Sequence, residues 1–548
     1  MKAFARILSL VLALLLVGSM ALAETPAASA AAPDSKYFDA NGNMILPLVD
    51  EPVTFRVMWC KQAQDKGGID DKAILTQAFK DTNIRWEIEE VPEQAWAEKV
   101  AVVFASNDLP DLFCGRIDNL INFTDQCVDV TDLLPQYAPY MADFYFNKYP
   151  AIYGAEAFEG RMYSMPQVRV NNIRYFGGWE INTAWLKRVG MEIPQTLDEF
   201  YQVLKAFKEQ DANGNGDPND EIPYSFVKLS KANGVGERNA LHWMNAFGMI
   251  NDGANQSEHY IMVEDGKVIF TPVDQRFRAM LEYLNKLYSE GLVDKDSFVQ
   301  EVTDQYAKAS GDKVGFATCG GLITELWGET VSKDIEYMLP PLSEYGRALK
   351  QNDPPAELNL HVYTITKACE HPELLLLFQE YCNRTFENRV LSLFGPEGGA
   401  WVWNEDKQMV NNSDFTGKPY STVQQARATL APNYRMASIM EEGDEGRRKY
   451  TGLSLKYNES HKVFYGPEGG AAYDECFPLG NDTAENTALR AEMFAEIDPY
   501  IQNFVADCIM NGLDDAKWSQ HLTTCEKLNI GDFVAGYQDL YDRLTSLK

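Results

Sequence analysis

For a chain of 548 residues, this sequence has few histidines and few positive charges. Its six histidines are dispersed, and no H-E-x-x-H pairs two of them on a helix, so no helical zinc site is offered. There is no G-x-x-x-x-G-K-[ST], which excludes a nucleotide-hydrolysing P-loop, and no G-x-S-x-G nucleophile elbow. Lys and Arg number 49 against 80 Asp and Glu, a formal net charge of −31. Such a surface repels phosphate backbones, so no nucleic-acid partner is expected, and it disfavours docking on anionic lipid. The nine cysteines form no C-x-x-C and no zinc spacing, and their odd number leaves at least one outside any internal pair. A chain this large needs no disulfide framework, so they read as buried small hydrophobes, with a Cys508–Cys525 staple between C-terminal helices as the alternative. Past the N-terminus no stretch approaches 18 apolar residues, and no direct membrane insertion is expected.

What is present points to a large globular protein. Hydrophobic residues make up 45% and aromatics 12%, enough for a sizeable core, and the length suits three or four domains or two large lobes. Lys2 and Arg6 precede the apolar run Ile7 to Val17, and Ala21-Leu22-Ala23 is a small-x-small cleavage site. Residues 1–23 therefore read as an export signal, with Glu24 the first mature residue and an Ala/Pro/Ser-rich leader over 24–50. The first cysteine is Cys60, so no lipid anchor is expected at the cleavage site.

Strand and helix patterns then alternate. Glu51 to Trp59 and Thr82 to Val91 read as strands, and Asp70 to Asp81 and Gln94 to Ala105 as helices. Asn172 to Ile181 is another strand, followed by a helix over Thr183 to Val189 that stops at Gly190. Thr196 and Glu199 form a capping box opening Leu197 to Lys208. Pro372 to Cys382 is a buried helix, and Pro499 to Met510, Trp518 to Lys527 and Ile530 to Leu547 read as C-terminal helices. This order implies parallel sheets covered by helices, an α/β fold. The only internal echo is the turn Phe394 to Ala400, which recurs as Tyr465 to Ala471.

One loop has the spacing of a metal site. In Asp211-Ala212-Asn213-Gly214-Asn215-Gly216-Asp217-Pro218-Asn219-Asp220-Glu221 the oxygen-bearing Asp211, Asn213 and Asn215 stand at positions 1, 3 and 5. Gly216 allows the turn at position 6, and Asp217 offers its carbonyl at position 7. This is the front half of an EF-hand calcium loop. Position 12 is Ile222, so Asp220 and Glu221 must reach the ion from one or two places early. The alternative is a metal-free, Asx-rich turn.

Ten tryptophans are the second signal, because an indole face suits the CH face of a sugar ring. Trp59 ends the first strand, at the carboxyl edge where α/β folds bind ligands. Trp401 follows a Gly-rich turn that carries Glu397, and Trp401 and Trp403 share a strand face, so one can back the other. Trp179, Trp243 and Trp327 complete the ligand-wall candidates.

Several segments together resemble a known family. They are Trp185-Leu186, Gly190, Pro194 to Phe200 and Phe207-Lys208 leading into the Asp211 loop, Leu284 to Tyr288 with Glu290 to Asp294, Leu339 to Leu342, Ile365 to Lys367 with His371 to Glu373, and Gly395-x-Glu397-Gly398 with Trp401. The chain from Pro52 to Leu547 is similar to extracellular solute-binding proteins, family 1, of ABC importers, in the long branch resembling alginate-oligosaccharide-binding proteins. The resemblance implies a two-lobed periplasmic-binding-protein fold, type II-like, with discontinuous lobes joined by a hinge. It implies a Ca2+ site in the Asp211 loop and a ligand cleft bordered by the Glu397 segment. It also implies capture of an oligosaccharide or related carbohydrate for an ABC-transporter permease, by a monomer that is not an enzyme. The expected division is lobe 1 over 51–170 and 305–368, and lobe 2 over 171–304, with the calcium loop at 211–221, and 369–548. The rival readings are a secreted glycoside hydrolase and a carbohydrate-binding surface protein with no importer.

Overall fold

The structure, a computed structural model, describes residues 32–170, 178–229, 238–250, 260–319, 323–350, 356–445, 447–449, 472–473, 477–478 and 480–546. The export signal, residues 172–177 of the expected Asn172 strand, Cys476 and the second copy of the glycine turn lie outside these residues.

In chain order the elements that build the site are β1 (Val53–Lys61), α1 (Ala73–Thr82), β2 (Ile84–Pro92), α2 (Trp96–Ser106), β3 (Leu112–Cys114), α3 (Pro150–Glu156), β4 (Met165–Val170), β5 (Gly178–Asn182), α4 (Thr183–Val189) and α5 (Leu197–Glu209). There follow β6 (Ile222–Ser225), α6 (Gln275–Ser289), β7 (Val314–Cys319), β8 (Ile335–Tyr337), β9 (Ala356–Ile365), α7 (Pro372–Asn383) and α8 (Phe386–Phe394). The chain closes with β10 (Trp401–Trp403), β11 (Met409–Asn411), α9 (Val423–Leu430), β12 (Ile439–Met440), α10 (Ala484–Asn511), α11 (Asp515–Lys527) and α12 (Ile530–Ser546).

Local sequence explains the boundaries. Thr196 accepts from the Glu199 N–H while Glu199 reaches back to the Thr196 N–H, so the capping box opens α5 as its spacing predicts. Gly190, at φ 70°, ends α4. The expected helix start at Pro499 is wrong: α10 runs through it without a break. Phe494, Ile497, Ile501, Phe504 and Val505, on both sides of the proline, face one core, and their packing outweighs the lost backbone hydrogen bond.

Two sheets divide the chain. The first has the order β12-β4-β9-β3-β1-β2, and the second β8-β5-β7-β6. In the first, β9 runs against β3 and β4 while the other strands are parallel. In the second, β5 runs against β7 and β8, and β6 is parallel to β7. Each sheet has its own core. One gathers Val57, Ile74, Leu75, Met165 and Leu374 to Phe378, and the other Trp179, Trp185, Phe207, Trp243, Phe316 and the C-terminal helices.

This pairing corrects the expected division. The described residues of 305–350 belong to lobe 2, because β7 and β8 hydrogen-bond to β5 and β6. Residues 372–445 belong to lobe 1, because α7 buries its leucines against β1 and α1 and because β12 pairs with β4. The chain thus passes between the lobes after Val170, after Lys350 and after Lys449. The lobe 1 ends of the first two passages are neighbours, since Ala356 pairs with Val170.

Candidate functional site

The parallel strands β1, β3, β4 and β12 end on one edge of lobe 1, the edge from which β4 leaves for lobe 2. Beyond that edge the segment 393–435 is fastened over the end of β1. Lys72, 1% exposed, donates to Asp65 Oδ2 at 2.9 Å and to the carbonyls of Ala428 and Thr429 at 3.0 and 3.1 Å, at the end of α9. Burial lowers the Lys72 pKa, and Asp65 opposes the shift. Arg435 donates to the Cys60 carbonyl at 2.9 Å and pairs with Glu93. Arg427 donates to the Leu393 carbonyl and to Asn433, and lies over the Phe394 ring. The glycine turn sits against the same helix end. A Cβ at Gly395, φ 74°, would lie 2.7 Å from the Leu430 Cβ, so the close approach needs glycine.

This turn brings Glu397 and Trp401 together through a β-bridge. Glu397 is exposed, but Trp401 is only 8% exposed. The Trp401 indole N–H donates to the Gly395 carbonyl at 2.8 Å, and the ring packs among Val390, Leu393, Phe394, Met409 and Met440. The exposed member of the pair is Trp403, 38% exposed, set edge-on to Trp401 with centroids 5.1 Å apart.

The other tryptophan candidates are corrected to core residues. Trp59 lies in the lobe 1 core. Trp179, Trp243 and Trp327 are enclosed in the lobe 2 core, where Trp179 meets Trp243 edge-on at 4.9 Å. The Trp243 N–H donates to the Tyr224 hydroxyl, and the Trp327 N–H to Glu180. Enclosed rings offer no face to a ligand. Cys508 and Cys525 are free and buried, so no staple joins α10 and α11, and burial pushes both thiols up to about 12.

The acidic loop sits at the opposite end of lobe 2, ahead of β6. Asp211 Oδ2 accepts from the Gly216 N–H at 3.0 Å, with Gly214 and Gly216 both at positive φ. Asn213 and Asn215 accept from the N–H groups of Asn215 and Asp217, so Asx turns wind the loop. Asp220 accepts from the Asn213 and Asn215 amides and stands 3.6 Å from Lys313. In the loop three buried carboxylate oxygens make no hydrogen bond of good geometry, Asp211 Oδ1 and both oxygens of Glu221, although the N–H groups of Ala212, Asn213 and Glu221 lie close enough to Glu221 to favour its charged form. Burial pushes the Glu221 carboxyl above its ordinary value. Among the described residues no three His, Cys, Asp or Glu side chains gather around one point, so the loop relies on asparagine and backbone oxygens for the rest of a donor set. Orphaned buried oxygens are costly, and a hard cation satisfies them, so these residues fit calcium.

A second buried polar cluster lacks the wiring of a nucleophile relay. Ser164 and Glu156 both approach Nδ1 of His361, at 3.0 and 3.1 Å, whereas a relay needs them on opposite ring nitrogens.

Residues 66–381, more than half of the chain, match the family model for bacterial extracellular solute-binding proteins. The chain belongs to this family. It is 25% identical over 547 residues to the fructooligosaccharide ABC transporter substrate-binding protein FusA of Streptococcus pneumoniae, covering 95% of each. Two solved structures share the fold of this solute-binding protein. A FusA EF-hand mutant in complex with fructo-nystose has a TM-score of 0.73 at 21% identity, over 90% of this chain and 100% of that one. An HMO-binding, ABC-transporter-associated solute-binding protein from Bifidobacterium longum infantis has a TM-score of 0.74 at 20% identity, over 90% and 99%. The two-lobed α/β architecture expected from the sequence is thus the observed one. Among the described residues no helix is long and apolar enough to cross a membrane.

Sequence reasoning missed the fastening residues Lys72 and Arg435. The partners they fasten across the lobe, Ala428 and Thr429 for Lys72 and Cys60 for Arg435, lie more than 340 residues away, and no local pattern marks them. It also favoured Trp401 over Trp403, because period-two spacing places both on one face and does not say which is covered.

Proposed function

We propose that the chain is the substrate-binding component of an ABC importer, which captures an oligosaccharide between its lobes and hands it to a permease without covalent chemistry. The full-length likeness to FusA carries this reading, and the edge where β4 leaves for lobe 2 supplies a place for the ligand. Closure about the three passages would shift the population from open to closed when sugar bridges the lobes. Glu397, exposed on the rim, would accept from sugar hydroxyls, with Trp401 holding the turn that presents it.

Calcium, held by Asp211, Asn213, Asn215 and Glu221, with the Asp217 backbone, would neutralise the orphaned carboxylates and fix the loop. Asp220 would brace the asparagine amides from outside. The loop precedes β6 and so lies at the amino edge of its sheet, away from the hinge, which makes the ion structural. Export with cleavage after Ala23, no lipid anchor and a monomeric state complete the reading.

Isothermal titration with neutral oligosaccharides, followed by chromatography of the sugar, tests it. One sugar bound per chain and recovered intact is expected. Hydrolysis products would overturn the binding-protein reading in favour of a glycoside hydrolase.

A further inference from the structure

All ten tryptophans lie among the described residues, and Trp403 alone is exposed. Its neighbours make it a fixed ring. Trp401 abuts it edge to face at 87°, is held by the Gly395 carbonyl, and rests on the cluster of Phe394, Met409 and Met440. On the paired strand, Met409 donates to the Arg447 carbonyl and accepts from the Lys449 N–H. Those residues follow β12, whose last residue is Met440, and lead into the third passage to lobe 2. The hairpin of β10 and β11 therefore stands beyond the carboxyl edge of the lobe 1 sheet, where the chain departs for the other lobe.

The chemistry around the ring is polar. Glu397 is exposed nearby on the turn bridged to Trp401, Asn404 closes the hairpin by accepting from the Gln408 N–H, and Asp406 pairs with Lys449 at 3.7 Å. An indole 38% exposed shows on the order of 100 Å². That is far below the roughly 800 Å² each partner gives to a stable protein interface. It matches one face of one sugar ring, and a backed aromatic loses little entropy on stacking.

We propose that Trp403 is an outer subsite, stacking on a neutral sugar unit of an oligosaccharide whose other units lie between the lobes. This rests on the oligosaccharide-binding reading above and deepens it: the ring selects for chain length. A ligand confined to the cleft does not reach the rim, whereas a longer chain gains the stacking contact.

The test is titration of the mature full-length chain and its Trp403→Ala and Trp403→Phe variants with neutral di- to pentasaccharides, including sucrose, kestose, nystose and fructosyl-nystose. Trp403→Ala should lose about ten-fold or more in affinity for the longest ligand bound and about two-fold or less for the shortest, with an unchanged melting temperature. Trp403→Phe should recover most of the loss. Equal affinity of Trp403→Ala and wild type at every length overturns the subsite while leaving oligosaccharide binding intact. If cellular uptake then falls, the ring serves the permease instead. A loss that is uniform across lengths also overturns length selection. Failure of wild type to bind any of the sugars overturns the parent reading and the subsite with it.

Discussion

Raising the pH from about 5 to about 8 should weaken the protein through Glu380, and Glu380→Gln should remove that part of the weakening. Glu380 lies on α7 with no solvent exposure, accepting from the N–H groups of Tyr140 and Met141 at 3.1 and 3.4 Å and from Arg384 at 3.2 Å. Burial is the largest influence and outweighs these donors, raising the carboxyl from 4.5 to about 7. The folded state therefore keeps a proton that the unfolded chain releases. Its stabilising effect is complete below about pH 4.5 and is lost as pH rises through about 7. A shift of that size corresponds to about 3 kcal/mol. Glutamine mimics the protonated acid, so the variant should be close to wild type at the acid end and more stable by about 2–3 kcal/mol at the alkaline end. Urea unfolding of both proteins across this range measures the difference, in which all other titrations cancel. A difference that stays constant with pH, or that favours wild type at the alkaline end, would refute the reasoning.

Two further outcomes follow from the two halves of the candidate site. On the proposed calcium reading, chelator should lower the melting temperature of wild type, and Glu221→Gln should be insensitive to it, because the cation would satisfy the orphaned oxygens of Glu221 and Asp211; sugar affinity measured below the melting range should change little, the loop being at the far edge of its sheet, and a chelator without effect on wild type would refute the reading. Trp401→Ala should cost about 3–5 kcal/mol in chemical denaturation, since it empties a packed site and frees the Gly395 carbonyl; unfolding indistinguishable from wild type would show that the ring is not core.

The sequence by itself determined what depends on neighbours in the chain. The alternation of β1, α1, β2 and α2 follows from local periodicity, and so do the capping box at Thr196 and the stop at Gly190. The Asp211 loop was legible too, because its oxygen spacing is a property of ten or so consecutive residues. Tertiary structure decided the rest. A strand's pattern says that a face is buried but not which sheet buries it, so only pairing could place β7 and β8 in lobe 2 and α7 in lobe 1. Glu221, rather than Asp220, holds the orphaned oxygens, because Lys313 and two asparagine amides, brought in by folding, already satisfy Asp220. Tryptophan reads alike in core and at a rim. Trp59, Trp179, Trp243 and Trp327 became core and Trp403 became surface because of segments far away in sequence, and the packing of those segments is where a linear pattern stops carrying information.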